Sequence, residues 1–448
     1  MSGDKKINYI VHPGGDKDQS TGSSMFQGEI TVPGDKSISH RSIMFGSLAN
    51  GKSEISGFLE GEDSLATLQA FRKMGVEISD PVEGRLTIEG VGMHGLEGSD
   101  SALDLGNSGT SMRLLSGLLS GQEFKSVLVG DKSLSGRPMK RVTEPLARMG
   151  ANIDTDDGTA PLKISAHNQL KGIHYDMPIA SAQVKSCLLL AGMYAKGETS
   201  VTEPGVTRDH TERMLKAFGY PIEIEKNKVK IEGGSELSAC DIQIPADISS
   251  AAFFLVGASI TPNANLLIKN VGINPTRTGV IDVLKLMGAD LSLENERMFG
   301  GEPVADIRVK QSKLKGIDIP EHLVPLAIDE FPVLFVAAAC AEGTTTLTGA
   351  EELRVKESDR IQAMADGLAE LGVNATPTND GIKIVGGHIN GGSVNSFDDH
   401  RIAMAFTIAG LVAKSEIKVK DCANVTTSFP GFVDLVNSIG LRVDIQDS

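Results

Sequence analysis

Eight basic side chains stand close to places where a helix is expected to begin. They are Lys36 and Arg41 in PGDKSISHR, Arg113 in GNSGTSMR, Arg137 in GDKSLSGRP, Arg208 in EPGVTRDHTE, Lys356 and Arg360 in RVKESDR, and Arg401 in DDHR. Lys36, Arg41, Arg113 and Arg401, at the starts of first helices, oppose the helix dipole, whose N-terminus already carries about half a positive charge. Another source of negative charge is needed, and the unpaired N–H groups of the same helix starts favour an anion as well. The chemistry these residues ask for is binding of a small anion, drawn in by a basic focus despite a net charge of -15. Their neighbours are mostly Ser, Asp and Asn, which ordinary capping explains. These are Asp35 and Ser37, Asn107, Ser108 and Thr110 around Gly109, Ser181-Ala182-Gln183, Asp247 with Ser249-Ser250, Asp329-Glu330 and Asp398-Asp399-His400. RVKESDR, with Glu357 three residues from Arg360, also fits a surface ion-pair face at helix spacing.

The elements that must position these residues repeat. KMG (73–75), RMG (148–150), AFG (217–219), LMG (286–288), ELG (370–372) and SIG (438–440) recur, with one longer interval before Gly372. Each ends an amphipathic helix with glycine just beyond its last turn. In the first copy GEITVPG reads as a strand, SISHRSIMFGSLA as a helix, KSEISGF as a strand, DSLATLQAFRKM as a helix, and VEIS and RLTIEG as strands. The unit is βαβαββ, and the other five copies follow it. The sixth stops at LRVDIQDS, one strand short, and INYIVHP at the N-terminus could fill that gap. The expected fold is α/β, with two pseudo-threefold domains of three units each. The first domain is 34–245, the second 1–33 and 246–448, with crossings near Pro33 and Pro245 and function in the cleft. A six-unit solenoid is the alternative.

Composition narrows the functional classes. A chain of 448 residues with 40% hydrophobic content can bury large cores and is expected to be soluble and a monomer. Its basic residues form no stripe, so nucleic acid is not a partner. The apolar runs at 331–341 and 402–413 are too short to span a bilayer, and MSGDKKINYI has no signal core, which predicts a cytoplasmic protein with no membrane partner. Cys187, Cys240, Cys340 and Cys422 lack paired spacing and read as buried thiols, not a zinc site or disulfides. GSLANGKS (46–53) matches the phosphate-loop pattern in reversed context, closing a helix and opening a strand, which makes Lys52 a solvated side chain. GVGMHG (90–95) matches a dinucleotide pattern but has no helix after it. A nucleotide site is disfavoured.

The ordered set PGDKSISHR, LDLGNSGTSMR, GDKSLSGRPM, SAQVKS, TRDHTE, IDEFP, RVKESDR and DDHRIAM resembles the 5-enolpyruvylshikimate-3-phosphate synthase family over nearly the whole chain. The resemblance implies an inside-out α/β barrel of the enolpyruvyl transferase type, with a cleft that closes on substrates. It implies transfer of the enolpyruvyl group of phosphoenolpyruvate to the 5-hydroxyl of shikimate 3-phosphate, with no metal or organic cofactor. It assigns Ser37, Arg41, Ser181, Ala182, Gln183, Arg208 and Lys356 to shikimate 3-phosphate. Lys36, Gly109, Arg137, Arg360 and Arg401 go to phosphoenolpyruvate, with Asn107, Thr110 and Arg113 shaping the wall behind Gly109. Asp329 and Glu357 match the carboxylates that move protons, assisted by Lys36 and His400.

Two positions depart from the pattern. Thr427 in TTSFP stands where many relatives have lysine, and Leu114 follows Arg113 where many have proline, as in a divergent, class II-like branch. Gly109 is not the alanine associated with glyphosate resistance. The related transferase acting on UDP-N-acetylglucosamine usually carries a cysteine in the loop matching GDKSLSGRP, which has none here. A non-catalytic anion-binding repeat protein and a P-loop phosphotransferase are the readings from other classes.

Overall fold

The computed structural model of the chain describes residues 6–14, 25–167 and 169–447. Two compact units divide it. One comprises Met1–Pro33, Ala246–Arg297 and Pro303–Ser448; the other comprises Gly34–Pro245 and Met298–Glu302. They are called here the 246–448 unit and the 34–245 unit. The short segment Met298–Glu302 departs from the expected division, because Glu302 accepts His210 Nδ1 at 2.8 Å with both side chains buried.

Each unit is built on three inner helices. In the 246–448 unit these are Ile248–Ile260, Phe331–Cys340 and His400–Ala409, which pack on one another. ISSAAFFLVGASI is buried at every position but its last. A helix that is apolar all round is stable only with neighbours on every side. In the 34–245 unit the helix Gly109–Ser120 packs against Lys36–Leu48 and Ala182–Gly192. The last contact is backbone on backbone: a Cβ added to Gly117 would lie 2.0 Å from the Cys187 carbonyl oxygen.

The outer helices close as the repeat predicts. Glu62–Lys73, Lys140–Met149, His210–Ala217, Gly279–Leu286, Arg360–Glu370 and Phe432–Ser438 are each followed by one of the six marker glycines. All six glycines have positive φ, from 77° to 106°, the left-handed conformation that ends a helix.

The sheets show how each unit joins up. In the second repeat Leu103–Asp104 and Ser126–Val129 pair parallel, and Thr159–Ile164 sits antiparallel between Ser126–Val129 and Ile153–Asp156. The third repeat has the same order. In the sixth, Ile7–Val11 takes the equivalent inner place, with Tyr9 opposite both Val419 and Ile445. The first copy corrects the sequence reading. Gln27–Ile30 in GEITVPG does not serve the first repeat; it pairs parallel with Asn265–Gly272 of the fourth, Gly28 opposite Leu266. Leu237–Ser238 and Ile242–Gln243 line the first repeat's Ala49–Ser56 instead. The chain crosses after the strand, at Pro33 and Pro245, so each leading strand stays with the unit being left. In the fifth repeat the leading strand is reduced to the bridges Lys315 to Glu342 and Asp318 to Thr346.

Both nucleotide-like matches resolve into ordinary structure. GSLANGKS runs from the helix Lys36–Leu48 into the strand Ala49–Ser56, and exposed Lys52 pairs with Glu89 at 3.0 Å. After GVGMHG no helix begins before Gly109.

Substituting Gly117→Ala forces these two helices apart, and overpacking of this kind costs about 1–3 kcal/mol. Urea unfolding should show a lower midpoint, and an unchanged midpoint would contradict the close approach.

Candidate active site

In the 34–245 unit, Asp35 caps the helix Lys36–Leu48 by accepting Ile38 N at 2.9 Å. Lys36 Nζ pairs with the buried carboxylate of Asp63, in the first turn of the next helix. Arg41 is 4% exposed and donates to Thr211 Oγ1 at 2.7 Å, the Ser37 carbonyl at 2.9 Å and Ser186 Oγ at 2.8 Å. Burial lowers its pKa to about 10, so it stays charged at neutral pH. His40 belongs to the packing. Its ring is fully buried, Nδ1 lies 2.8 Å from Thr67 Oγ1 and 3.2 Å from Ser111 Oγ, and burial with Lys36 and Arg41 pushes its pKa well below normal. A neutral imidazole adds no charge to an anion site, so the cations of the opening cluster are Lys36 and Arg41.

The second and third repeats add a connected wall. Arg137 Nη2 donates to Asn107 Oδ1 at 2.6 Å, and Asn107 Nδ2 donates to Asp131 Oδ2 at 2.7 Å. Arg113 Nη1 donates to Gln183 Oε1 at 2.6 Å, and Gln183 Nε2 donates to Thr110 Oγ1 at 3.0 Å. The two guanidiniums flank Gly109: a Cβ there would meet Arg113 Nη1 at 3.0 Å and Arg137 Nη1 at 3.1 Å. Ser181 caps the helix Ala182–Gly192, so Ala182 and Gln183 begin it with free N–H groups. Arg208 lies close enough to Arg41 to lower its pKa, behind larger effects of burial and of Glu212 and Asp35. Lys36, Ser37, Arg41, Asn107, Gly109, Thr110, Arg113, Arg137, Ser181, Ala182, Gln183 and Arg208 all fall within this one unit.

The 246–448 unit centres on Arg360, 1% exposed. Its Nε donates to Asp399 Oδ2 at 2.8 Å and its Nη2 to Glu357 Oε2 at 2.6 Å, while Nη1 reaches Asp329 Oδ1 at 3.4 Å. Burial opposes its charge, but Asp399, Glu357 and Asp329 raise the pKa above the ordinary arginine value. Lys356 Nζ lies 3.4 Å from the same Asp329 oxygen and 3.0 Å from Glu352. Arg401 Nη1 donates to the Asp329 carbonyl at 3.0 Å. Asp399 caps the helix His400–Ala409 through Arg401 N at 2.9 Å, with buried His400 following it. RVKESDR is thus no surface face: Arg354 stays outside on Asp359 at 2.6 Å, whereas Arg360 is interior. Thr427, at the expected lysine position, donates its hydroxyl to the Asn424 carbonyl at 2.7 Å.

Sequence reasoning passed over Asp63, Asp131, Asp399 as a ligand of Arg360, and Arg277. Arg277 is buried and donates to Asp247 Oδ1 at 3.1 Å and Ser249 Oγ at 2.5 Å. The repeat held the signal for two of them, since Asp63 and Arg277 lie by second-helix starts as Arg137 and Arg208 do. Among the described residues no group of three or more His, Cys, Asp or Glu could hold a metal ion.

Comparison with known proteins agrees in sequence and in fold. The family model described as EPSP synthase (3-phosphoshikimate 1-carboxyvinyltransferase) matches residues 20–436. A 3-phosphoshikimate 1-carboxyvinyltransferase of Methylococcus capsulatus is 62% identical over 444 residues, covering 99% of this chain and 100% of that protein. One from Hydrogenovibrio crunogenus is 62% identical over 445 residues, 98% of each. A solved EPSP synthase structure from Acinetobacter baumannii superimposes with a TM-score of 0.88 at 58% identity, covering 99% of this chain and 100% of that one. With the family model spanning residues 20–436 and relatives 62% identical over nearly the whole chain, the chain belongs to the EPSP synthase family.

Proposed function

We propose that the chain transfers the enolpyruvyl group of phosphoenolpyruvate to the 5-hydroxyl of shikimate 3-phosphate, releasing phosphate, as a step toward chorismate and the aromatic amino acids. The observation that carries the proton chemistry is the seating of Asp329 and Glu357 on one buried guanidinium, at 3.4 and 2.6 Å. In this reading the hydroxyl oxygen adds to the substituted carbon of the enol while its proton leaves to a carboxylate and another proton arrives at the methylene carbon. The resulting tetrahedral adduct then loses a methyl proton and phosphate. An alcohol is a weak nucleophile, so positioning and charge stabilisation carry much of the barrier reduction.

The roles proposed here are those that the family's motifs imply. Ser37, Arg41, Ser181, Ala182, Gln183, Arg208 and Lys356 take shikimate 3-phosphate. Lys36, Arg137, Arg360 and Arg401 take phosphoenolpyruvate, whose carboxylate and phosphate suit paired guanidinium donors. Asp329 and Glu357 exchange protons, with Lys36 and His400 assisting. We infer a cytoplasmic monomer as its setting. The four thiols, free and at least partly buried, with pKa values raised by burial, suit a reducing compartment.

Phosphate release assayed with both substrates, and with each omitted, tests the function: release must require both. Glu357→Gln keeps the shape and removes the proton carrier, so kcat should fall by about two orders of magnitude while both substrates still bind. Turnover near wild type in that variant would remove Glu357 from the mechanism. Gly109→Ala meets the side-chain ends of two arginines and no backbone, so the fold should persist while the KM for phosphoenolpyruvate rises about tenfold or more. An unchanged KM would detach Gly109 from that ligand.

A further inference from the structure

Beneath the Ser181–Gln183 helix start lies a charged cluster that the proposed chemistry does not use. Lys185, on the same helix, is 2% exposed, and its Nζ is ion-paired to both Glu203 Oε1 and Glu212 Oε1, themselves 7% and 2% exposed. The two carboxylates come from different segments. Glu203 follows the strand Glu198–Thr202, and its other oxygen accepts Thr207 N at 3.1 Å and Thr207 Oγ1 at 3.0 Å, fixing the turn that leads into Arg208. Glu212 sits in the first turn of the helix His210–Ala217. Beside it Thr211 accepts Arg41 Nε at 2.7 Å and meets Ser186 Oγ at 2.7 Å, and Ser186 in turn accepts Arg41 Nη2 at 2.8 Å.

We infer that Lys185 is a positioning residue for shikimate 3-phosphate: through Glu203 and Glu212 it sets the register between the Ser181–Gln183 helix start, the Arg208 turn and the Thr211 contact of Arg41. A buried ion pair is weak evidence for stability, because apolar residues of similar volume often do as well. What such a cluster does supply is registry, since the two carboxylates are neutralised only when their segments stand at one distance from the Lys185 helix. Burial pushes the Glu212 carboxyl pKa up, and the Lys185 ammonium works against that shift. Burial works against the Lys185 charge, and the Glu212 and Glu203 carboxylates outweigh it and raise the pKa. Glu212 also favours the charged form of Arg41, so the two layers are electrostatically joined.

The inference rests on the assignment of Ser181–Gln183 and Arg208 to shikimate 3-phosphate, and steady-state kinetics on the purified full chain can separate the two. Lys185→Met should raise the KM for shikimate 3-phosphate by about tenfold or more, with KM for phosphoenolpyruvate and kcat changed by less than about threefold. Should that variant fail to fold, Glu203→Gln keeps the Lys185–Glu212 pair and should show the same selective rise, about threefold to tenfold. A purely structural role would lower the melting temperature without splitting the two KM values, and that result overturns the inference. Gln183→Ala is the control. A selective KM rise in Gln183→Ala with none in the cluster variants defeats the positioning role alone. No rise in Gln183→Ala defeats the site assignment, and the inference with it.

Discussion

A guanidinium with three carboxylates around it, sealed from water, is the constraint on which the 246–448 unit is arranged. Arg360 joins Asp399, the cap of one inner helix, to Glu357 at the end of a loop and to Asp329 before another inner helix. Three separate segments of chain, two from the fifth repeat and one from the sixth, are thereby held on one planar group, and its fixed fork of donors gives each carboxylate a defined direction. Removing any one partner would leave a buried charge short of compensation, which is why such a network specifies geometry more than it adds stability. The same fork aims Glu357 and Asp329, the two acids in RVKESDR and IDEFP that carry the proposed proton transfers.

The 34–245 unit solves a related problem by another route. Three of the cations near its helix starts meet a local acceptor: Asp63 for Lys36, Asn107 backed by Asp131 for Arg137, Gln183 for Arg113. Neutral amides answer two of the three. An amide orients an arginine without cancelling its charge, so the guanidiniums beside Gly109 keep their attraction for an anion. Lys36 differs, since Asp63 neutralises it until a more strongly bound anion competes.

How much of this was legible in the sequence varies with range. The six marker glycines and the N-caps Asp35, Ser108, Ser181, Asp247 and Asp399 are local signals, and each reads the same in sequence and structure. The cations were legible because their placement contradicts helix electrostatics. Their partners were not: Asp63, Asp131 and Glu212 look like ordinary acids of first turns and loops until the fold brings them to a lysine or an amide. GEITVPG was misplaced for a similar reason, since strand pattern fixes an element's type but says nothing of which sheet takes it. His40 shows the converse, a polar residue in a functional motif whose burial against Thr67 and Ser111 makes it part of the core.

The central claim is that the Arg360 fork, and not positive charge alone, organises Asp329 and Glu357. Arg360→Lys keeps the charge and loses the fork, so kcat/KM for phosphoenolpyruvate measured at saturating shikimate 3-phosphate tests it most directly. The account predicts a fall of about a hundredfold or more with the fold intact. A lysine variant within about threefold of wild type would show that any cation suffices there and would contradict it.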